Sequence, residues 1–448
     1  MSQTIAMKDT TKPYSKMFEA QRTPAQNMSW MKDLQQLAMQ MFSQKGFPNT
    51  SLEQWRYTDL RTLAQTPFML SKPDHRIEAD KIPAWFTLDS SIQLIFINGH
   101  YYPNPSALGS LPEGLIITDM KDAINKFPDL LKQTLSKIDP DENQSLVALN
   151  TALFQNGACI VLPENTVLKK PIQIIYFSST HDNSCLSFYR NIIILEKSSH
   201  AQIVTSHYGL NNQNPYCNNI ATQIEVKDNA SLDFYKVQHE DIRSYHISFT
   251  QAQLHQNSLY RSYNFDSGGA LIRNDVHIKM QGSGSECILN GLYTGKDHQH
   301  IDNCTLIEHQ QSHTKSRQVY KGILDDTSKG IFNGKIKVHE HAQKSDASQT
   351  NKNLLLSEHA IAHTRPQLEI NTDDVKCSHG STVGQLDKDA LFYLCSRGLS
   401  HPSARSILTH GFANEILRLV KIDALRRRLD AILTPVLYAS EHMKETHV

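Results

Sequence analysis

The chain has 448 residues, with Lys+Arg and Asp+Glu both at 45 and 22 histidines. Such a length exceeds one ordinary core and asks for several domains or an elongated solenoid. The balanced charge leaves no electrostatic footprint for nucleic acid or anionic membrane, and the seven cysteines, dispersed without a CxxC, argue for a reducing compartment rather than a secreted disulfide framework.

Residues 1–28 are polar, lack the apolar stretch of a signal peptide and read as a flexible tail. The longest apolar runs, such as residues 192–195, are too short to span a bilayer, so a soluble, cytoplasmic protein is expected. Ser29 is a plausible N-cap for a helix carrying Trp30, Met31, Leu34, Leu37, Ala38, Met41 and Phe42, which Gly46 and Pro48 should stop. IQLIFINGHYY (92–102) predicts a strand entering an Asn-Gly turn. Residues 119–135 read as helix interrupted by Pro128. Together, 29–145 form a small mixed α/β domain.

The texture changes at residue 146. A short helical piece precedes an Asn156-Gly157 turn, and short apolar strands then alternate with turn residues to about 385. A small residue followed by alternating apolar positions recurs in HAQIVTSHY (200–208), NASLDFYKV (229–237), NSLYRSYNF (257–265) and GSECILNGLY (284–293). That spacing is the period of a stacked repeat. GLYTGK (291–296) and GIFNGK (330–335) add a second echo. The expected class is mainly β: a parallel β-helix over 146–385, ahead of a sandwich. Beyond it, residues 386–448 read as a helical domain. Leu391, Leu394 and Cys395 form one helical face, Ser400 and Pro402 open a second helix, and a third holds Leu425, Leu429 and Leu433 up to Pro435. Too few apolar residues lie here for self-sufficiency, so this domain should pack on the β region or on a partner. Arg426, Arg427 and Arg428 read as the solvated face of its last helix.

Motifs narrow the chemistry. GLYTGKD (291–297) has the wrong glycine spacing for a phosphate-binding loop and Asp297 where a hydroxyl is needed, so if ATP matters here another chain hydrolyses it. His298/His300 and His339/His341 would each share a strand face, as metal ligands or as rungs of a polar ladder. The pairs Asp325/Asp326 and Asp373/Asp374 suit a β-helix carbohydrate enzyme, a class that the absent leader disfavours. DVKCSHGSTVGQLD (374–387) stands out. On an extended strand Cys377 and His379 share a face, offering a thiolate and an imidazole to zinc or iron–sulfur chemistry. Two ligands do not complete a tetrahedral site, a catalytic dyad lacks an orienting group, and a packed thiol beside a surface histidine is the plain alternative. Gly380 and Gly384 suit turns or close backbone approach.

The runs GKIKVHEHAQKSDASQTNKNLLLSEHA (334–360) and PQLEINTDDVKCSHGSTVGQLDKDALFYLCSRGLS (366–400) resemble the SufB/SufD family of iron–sulfur cluster assembly proteins. So do RNDVHIKMQGSGSECILNGLY (273–293), QVYKGILDD (318–326), LVALNTALFQNGACIVLP (146–163) and EQWRYTDL (53–60), so the resemblance spans about 50–435. Cys377-Ser-His379-Gly380 with Val383-Gly384 is similar to the SufD branch, whereas PENTV (163–167) departs where the family often has glycine. The resemblance implies a right-handed parallel β-helix flanked by an N-terminal mixed domain and a C-terminal helical domain. It implies a non-ATPase scaffold subunit, not an enzyme, that pairs with SufB through the β-helix and binds the ATPase SufC through 386–448. A homodimer is expected to be possible in isolation. His379 and Cys377 would then be interfacial ligands to iron or a nascent cluster shared with SufB; the alternative is a purely structural subunit.

Overall fold

The computed structural model describes residues 10–21, 28–73, 84–103, 111–135, 144–180, 183–210 and 213–438. Helices α1 (Lys12–Ala20), α2 (Ser29–Lys45) and α3 (Arg61–Gln65) come first, followed by strands β1 (Met69–Leu70), β2 (Ile92–Ile97), β3 (His100–Tyr102) and β4 (Ile116–Asp119). Then follow α4 (Met120–Lys126), α5 (Pro128–Leu135) and α6 (Ser145–Leu153). The chain then winds through β5 (Ala158–Leu162), β6 (Ile172–Ser178), β7 (Cys185–Leu195), β8 (His200–Gly209), β9 (Tyr216–Val226) and β10 (Ser231–Glu240). It continues through β11 (Tyr245–Leu254), β12 (Leu259–Gly268), β13 (Leu271–Met280), β14 (Glu286–Gly295) and β15 (His300–His309). The last strands are β16 (Lys315–Leu324), β17 (Lys329–Val338), β18 (Asp346–Leu355), β19 (Ile361–Ile370) and β20 (Lys376–Gly384). Helices α7 (Lys388–Ser396), α8 (His401–Leu417) and α9 (Asp423–Tyr438) close the chain.

From β5 onward, odd strands fall in one ten-stranded sheet and even strands in another, each pairing in parallel with the strand two places on. This is a parallel β-helix of two-strand coils. The last three recurring segments mark coils in register, with Ser231 opposite Leu259 and Leu259 opposite Glu286, whereas the first is two residues out, His200 lying opposite Ser231 rather than Asn229. At the corners entering β6 to β18 of the even sheet, Asn165, Ser198, Asn229, Asn257, Gly284, His313 and Lys344 all take left-handed backbone. Asparagine tolerates that conformation through its short polar side chain. Asn165 therefore fills, in the PENTV turn, a role that glycine could also serve. GLYTGK and GIFNGK, by contrast, lie on β14 and β17, in different sheets, so their likeness is not a coil period.

The coil is held by apolar packing inside its lumen and on the outer faces of both sheets. Its lumen is lined by residues such as Ile174, Ile203, Leu232, Ile278, Leu289 and Ile336. The N-terminal helices bury Met31, Phe42, Trp55, Leu149 and Leu153 against the outer face of the odd sheet. The C-terminal helices bury Ile416, Leu417, Leu425, Leu429 and Leu433 on Tyr235, Tyr263, Phe265 and Leu292, which face outward from the even sheet. Lys321 pins α8 there, reaching Glu415 at 2.6 Å and the Phe412 carbonyl at 2.8 Å.

Several expectations need correction. Residues 1–9 and 22–27 of the expected tail lie outside the described residues, but Lys12–Ala20 is a helix. Pro13 sits in its first turn, and Tyr14 is buried edge-on to Phe42 and Phe47 at 5.7 and 5.3 Å. The N-cap of α2 is Met28 rather than Ser29, while Gly46 does end that helix, with φ 69°. The final helix continues past Pro435 to Tyr438. The Asn98-Gly99 hairpin, and the break between α4 and α5 at Pro128, are as read from the sequence.

Candidate functional site

The coil is closed at one end and open at the other. At the first coils, β3 pairs antiparallel with β2 and β4 antiparallel with β5, and Tyr101, Leu115 and Ile117 plug the lumen. At the far end, β19 and β20 are the terminal strands of their sheets. One long edge of each is unpaired among the described residues, leaving backbone donors and acceptors available. Ile361, Ile370 and Val383 are exposed apolar residues at this end.

DVKCSHG forms the start of the last strand, β20. Cys377 pairs with Ala347 and His379 with Gln349, so both stack on the inward column of β18. Cys377 is half-buried against the lumen core, whereas His379 is exposed. Burial pushes the Cys377 thiol above its usual pKa, partly offset by a backbone hydrogen bond with Ala347. The group is thus held as a thiol near neutrality and needs a cation nearby to become a good ligand. Beneath His379, the buried Gln349 donates from Nε2 to Gln318 Oε1 at 2.9 Å, while its own Oε1 has no hydrogen-bond partner. An imidazole N–H stacked on that amide is a suitable donor to it. Gly380 and Gly384 need no special backbone: an added Cβ at either meets nothing within 4 Å, because no further coil lies above them.

The other expected metal positions do not converge. His298 is in a corner turn with Nδ1 2.6 Å from Thr327 Oγ1, while His300 opens β15 and lies 2.9 Å from Thr58 Oγ1. His339 and His341 fall just after β17, and His339 binds Glu308 at 3.0 Å. A strand boundary separates His298 from His300, and His339 and His341 both lie in the turn beyond β17, so neither pair has the shared strand face that was expected. Among the described residues no group of three or more His, Cys, Asp or Glu could hold a metal. Asp325 is tied to Arg405 at 2.9 Å and Asp326 is a left-handed corner residue, which accounts for that carboxylate pair structurally.

Two features escaped sequence reasoning. Helix α7 has no fully buried residue, and its Phe392 is 76% exposed beside an exposed Tyr393. Adjacent aromatics opposite a short leucine face were the available signal. The second is Gln349, which only strand register reveals. Among the described residues no helix is long and apolar enough to cross a membrane.

Comparison with known proteins agrees with this architecture. Residues 8–174 match the SufBD protein N-terminal region, and 177–412 match the SUF system FeS cluster assembly SufBD core domain. An iron–sulfur cluster assembly SufBD family protein of Synechocystis is 30% identical over 392 residues, covering 85% of this chain and 86% of that protein. The iron–sulfur cluster assembly protein SufD of Escherichia coli is 29% identical over 394 residues (87% and 89%), and that of Bacillus subtilis 24% over 417 (91% and 94%). This chain, with its plugged and open-ended β-helix, belongs to the SufBD family of iron–sulfur cluster assembly proteins and is SufD-like.

Proposed function

We propose that this chain is the SufD-type, non-ATPase subunit of a SufB–SufC–SufD complex, and that it supports iron acquisition and new cluster assembly in the cytoplasm. The open end of the coil, which carries Cys377 and His379 on its last rung, is the observation behind this reading. The free edges of the last rung can pair with another chain, and a sibling coil would supply the strands. In isolation a second copy of the chain could serve instead. SufC would bind within 386–448, where α7 leaves Phe392 and Tyr393 uncovered. Closure of a SufC dimer on ATP would then shift the helices packed on the even sheet and strain the SufB–SufD junction.

At that junction the cargo is iron or a nascent cluster. SufB would supply the main thiolate, His379 an exchangeable imidazole, and Cys377 a further ligand once metal lowers its pKa. Gln349 would fix the ring of His379. A purely structural role for the pair is favoured by one fact, the packing of Cys377 on the lumen core.

The test is co-expression with SufB and SufC, pull-down, and anaerobic reconstitution of wild type and His379→Ala. The reading expects a complex from both and loss of the cluster's visible absorption in the variant. Equal absorption would reduce the pair to packing residues, and failure of the wild type to form a complex would remove the assembly role.

A further inference from the structure

A groove of about 880 Å³ lies away from the open end, where β10, β12 and β14 leave the even sheet, roofed by α9 and residues 85–89. Its size suits a small-molecule site. The floor holds two polar groups with no hydrogen-bond partner, Thr294 Oγ1 and His239 Nδ1, and Thr294 is only 1% exposed. A buried hydroxyl left unpaired is costly, and a bound molecule would satisfy it.

Two cations line the groove without a partner. Among the described residues the side chains of Lys296 and Arg427 have no carboxylate or hydrogen-bond acceptor. Arg428 beside them is already engaged, donating to the carbonyls of Phe86 and Thr87. Of the two lining acids, Glu240 is held by Asn218, Gln238 and His246, and Asp89 is exposed. The walls are Trp85, half exposed and packed on Phe86 with ring centroids 3.7 Å apart, and Ile432.

We propose that this groove binds a small organic anion with a flat apolar body. Lys296 and Arg427 take its charge, Thr294 and His239 take a polar substituent, and the ring of Trp85 covers its face. The site uses none of the residues at the open end, so it stands independently of the proposed cluster role.

The probe is 1-anilinonaphthalene-8-sulfonate, titrated into the full-length folded chain at low salt and followed by its own emission and by transfer from tryptophan. The expected result is one saturable site, with transfer lost in Trp85→Phe. Lys296→Gln and Arg427→Gln should each weaken binding several-fold, and the double variant about tenfold or more. Thr294→Val should also weaken it, removing only the hydroxyl. Melting temperatures of the two charge variants should match wild type, since neither side chain has a partner to lose. Non-saturable binding, or affinity unchanged in the double variant, would overturn the proposal.

Discussion

Replacing Arg273 with methionine should uncouple the N-terminal domain from the coil. The guanidinium is fully buried, 2.5 Å from Asp302 and 2.6 Å from Asp275. It also donates to the Gln54 carbonyl at 2.8 Å and lies 4.1 Å from the centroid of the Trp55 ring. Asp302 is almost as buried and has Thr58 as its other partner. Methionine keeps much of the volume but strands a buried carboxylate, which costs about 3–5 kcal/mol. Loss of the cation–π contact adds about 1 kcal/mol. Urea unfolding, followed by tryptophan emission and by far-ultraviolet circular dichroism, reads this directly. The first transition, reported by Trp55, should move to much lower urea, with the coil transition moving less. A chain of this size need not unfold in one step, so the two signals should separate. Arg273→Met/Asp302→Asn should recover part of the loss, because the more deeply buried of the two carboxylates left without Arg273 is then neutral, while Asp275 keeps some access to water. A shift of the first transition equivalent to less than about 1 kcal/mol would refute the assignment of this ion network as the clamp.

Three further outcomes follow from single sites. His309 lies in the lumen between Thr314 and Ser316, and burial lowers its pKa from 6.5 to about 4. The folded state therefore resists protonation that the unfolded chain accepts, so stability is present above pH 6.5 and is lost as pH falls from 6.5 towards 4. Relative to His309→Gln, wild type should lose about 2 kcal/mol between pH 7 and pH 5 in chemical denaturation; parallel pH profiles would contradict this. An added Cβ at Gly291 would sit 2.3 Å from the Tyr320 ring on the next coil, so Gly291→Ala should cost about 1–3 kcal/mol of thermal stability, with recovery in Gly291→Ala/Tyr320→Leu. Val383→Asp puts a charge on the open rung; if two copies pair there, as proposed for the isolated chain, sedimentation should show that association weakened about tenfold or more at unchanged melting temperature.

The coil was legible because its lumen imposes alternation. Ser231, Leu259 and Glu286 open strands that stack in register within the repeats seen in the sequence, while the repeat at His200 was set two residues off because its coil is longer. The GLYTGK and GIFNGK echo misled for a related reason. Glycine yields to a neighbouring coil's side chain in both sheets, to the Tyr320 ring at Gly291 and to the Gln349 amide at Gly334, so similar local strings arise without a common register. The histidine pairs were misplaced because strand ends are set by the corner turns, which a two-residue spacing does not reveal. Helix α1 was missed because its apolar face is only Tyr14, Met17 and Phe18, too brief a period to distinguish from a tail. At DVKCSHG, alternation placed Cys377 and His379 on one face, and the structure does so too. What the sequence could not supply was that this face belongs to the last rung, where Gly380 and Gly384 have open space above them.

The composition of the lumen near that rung explains how an open coil can be tolerated. The inward column under His379 runs from Leu289 to Gln318 and Gln349, and its neighbours carry Asn351 and Asn353. These amides bond one another: Gln349 to Gln318, Asn353 to Asn351, and Asn351 to the Tyr320 carbonyl. An aliphatic final layer would leave the open end as an apolar patch prone to indiscriminate stacking. An amide layer is already hydrogen-bonded and loses little when water reaches it, so the last rung need not be covered for the chain to stay folded. Under the proposed pairing at this end, selectivity would come from strand edges and from side chains such as Cys377, His379 and Val383. Under the proposed role such a junction would open and close, the reversibility that taking up and releasing a cluster requires.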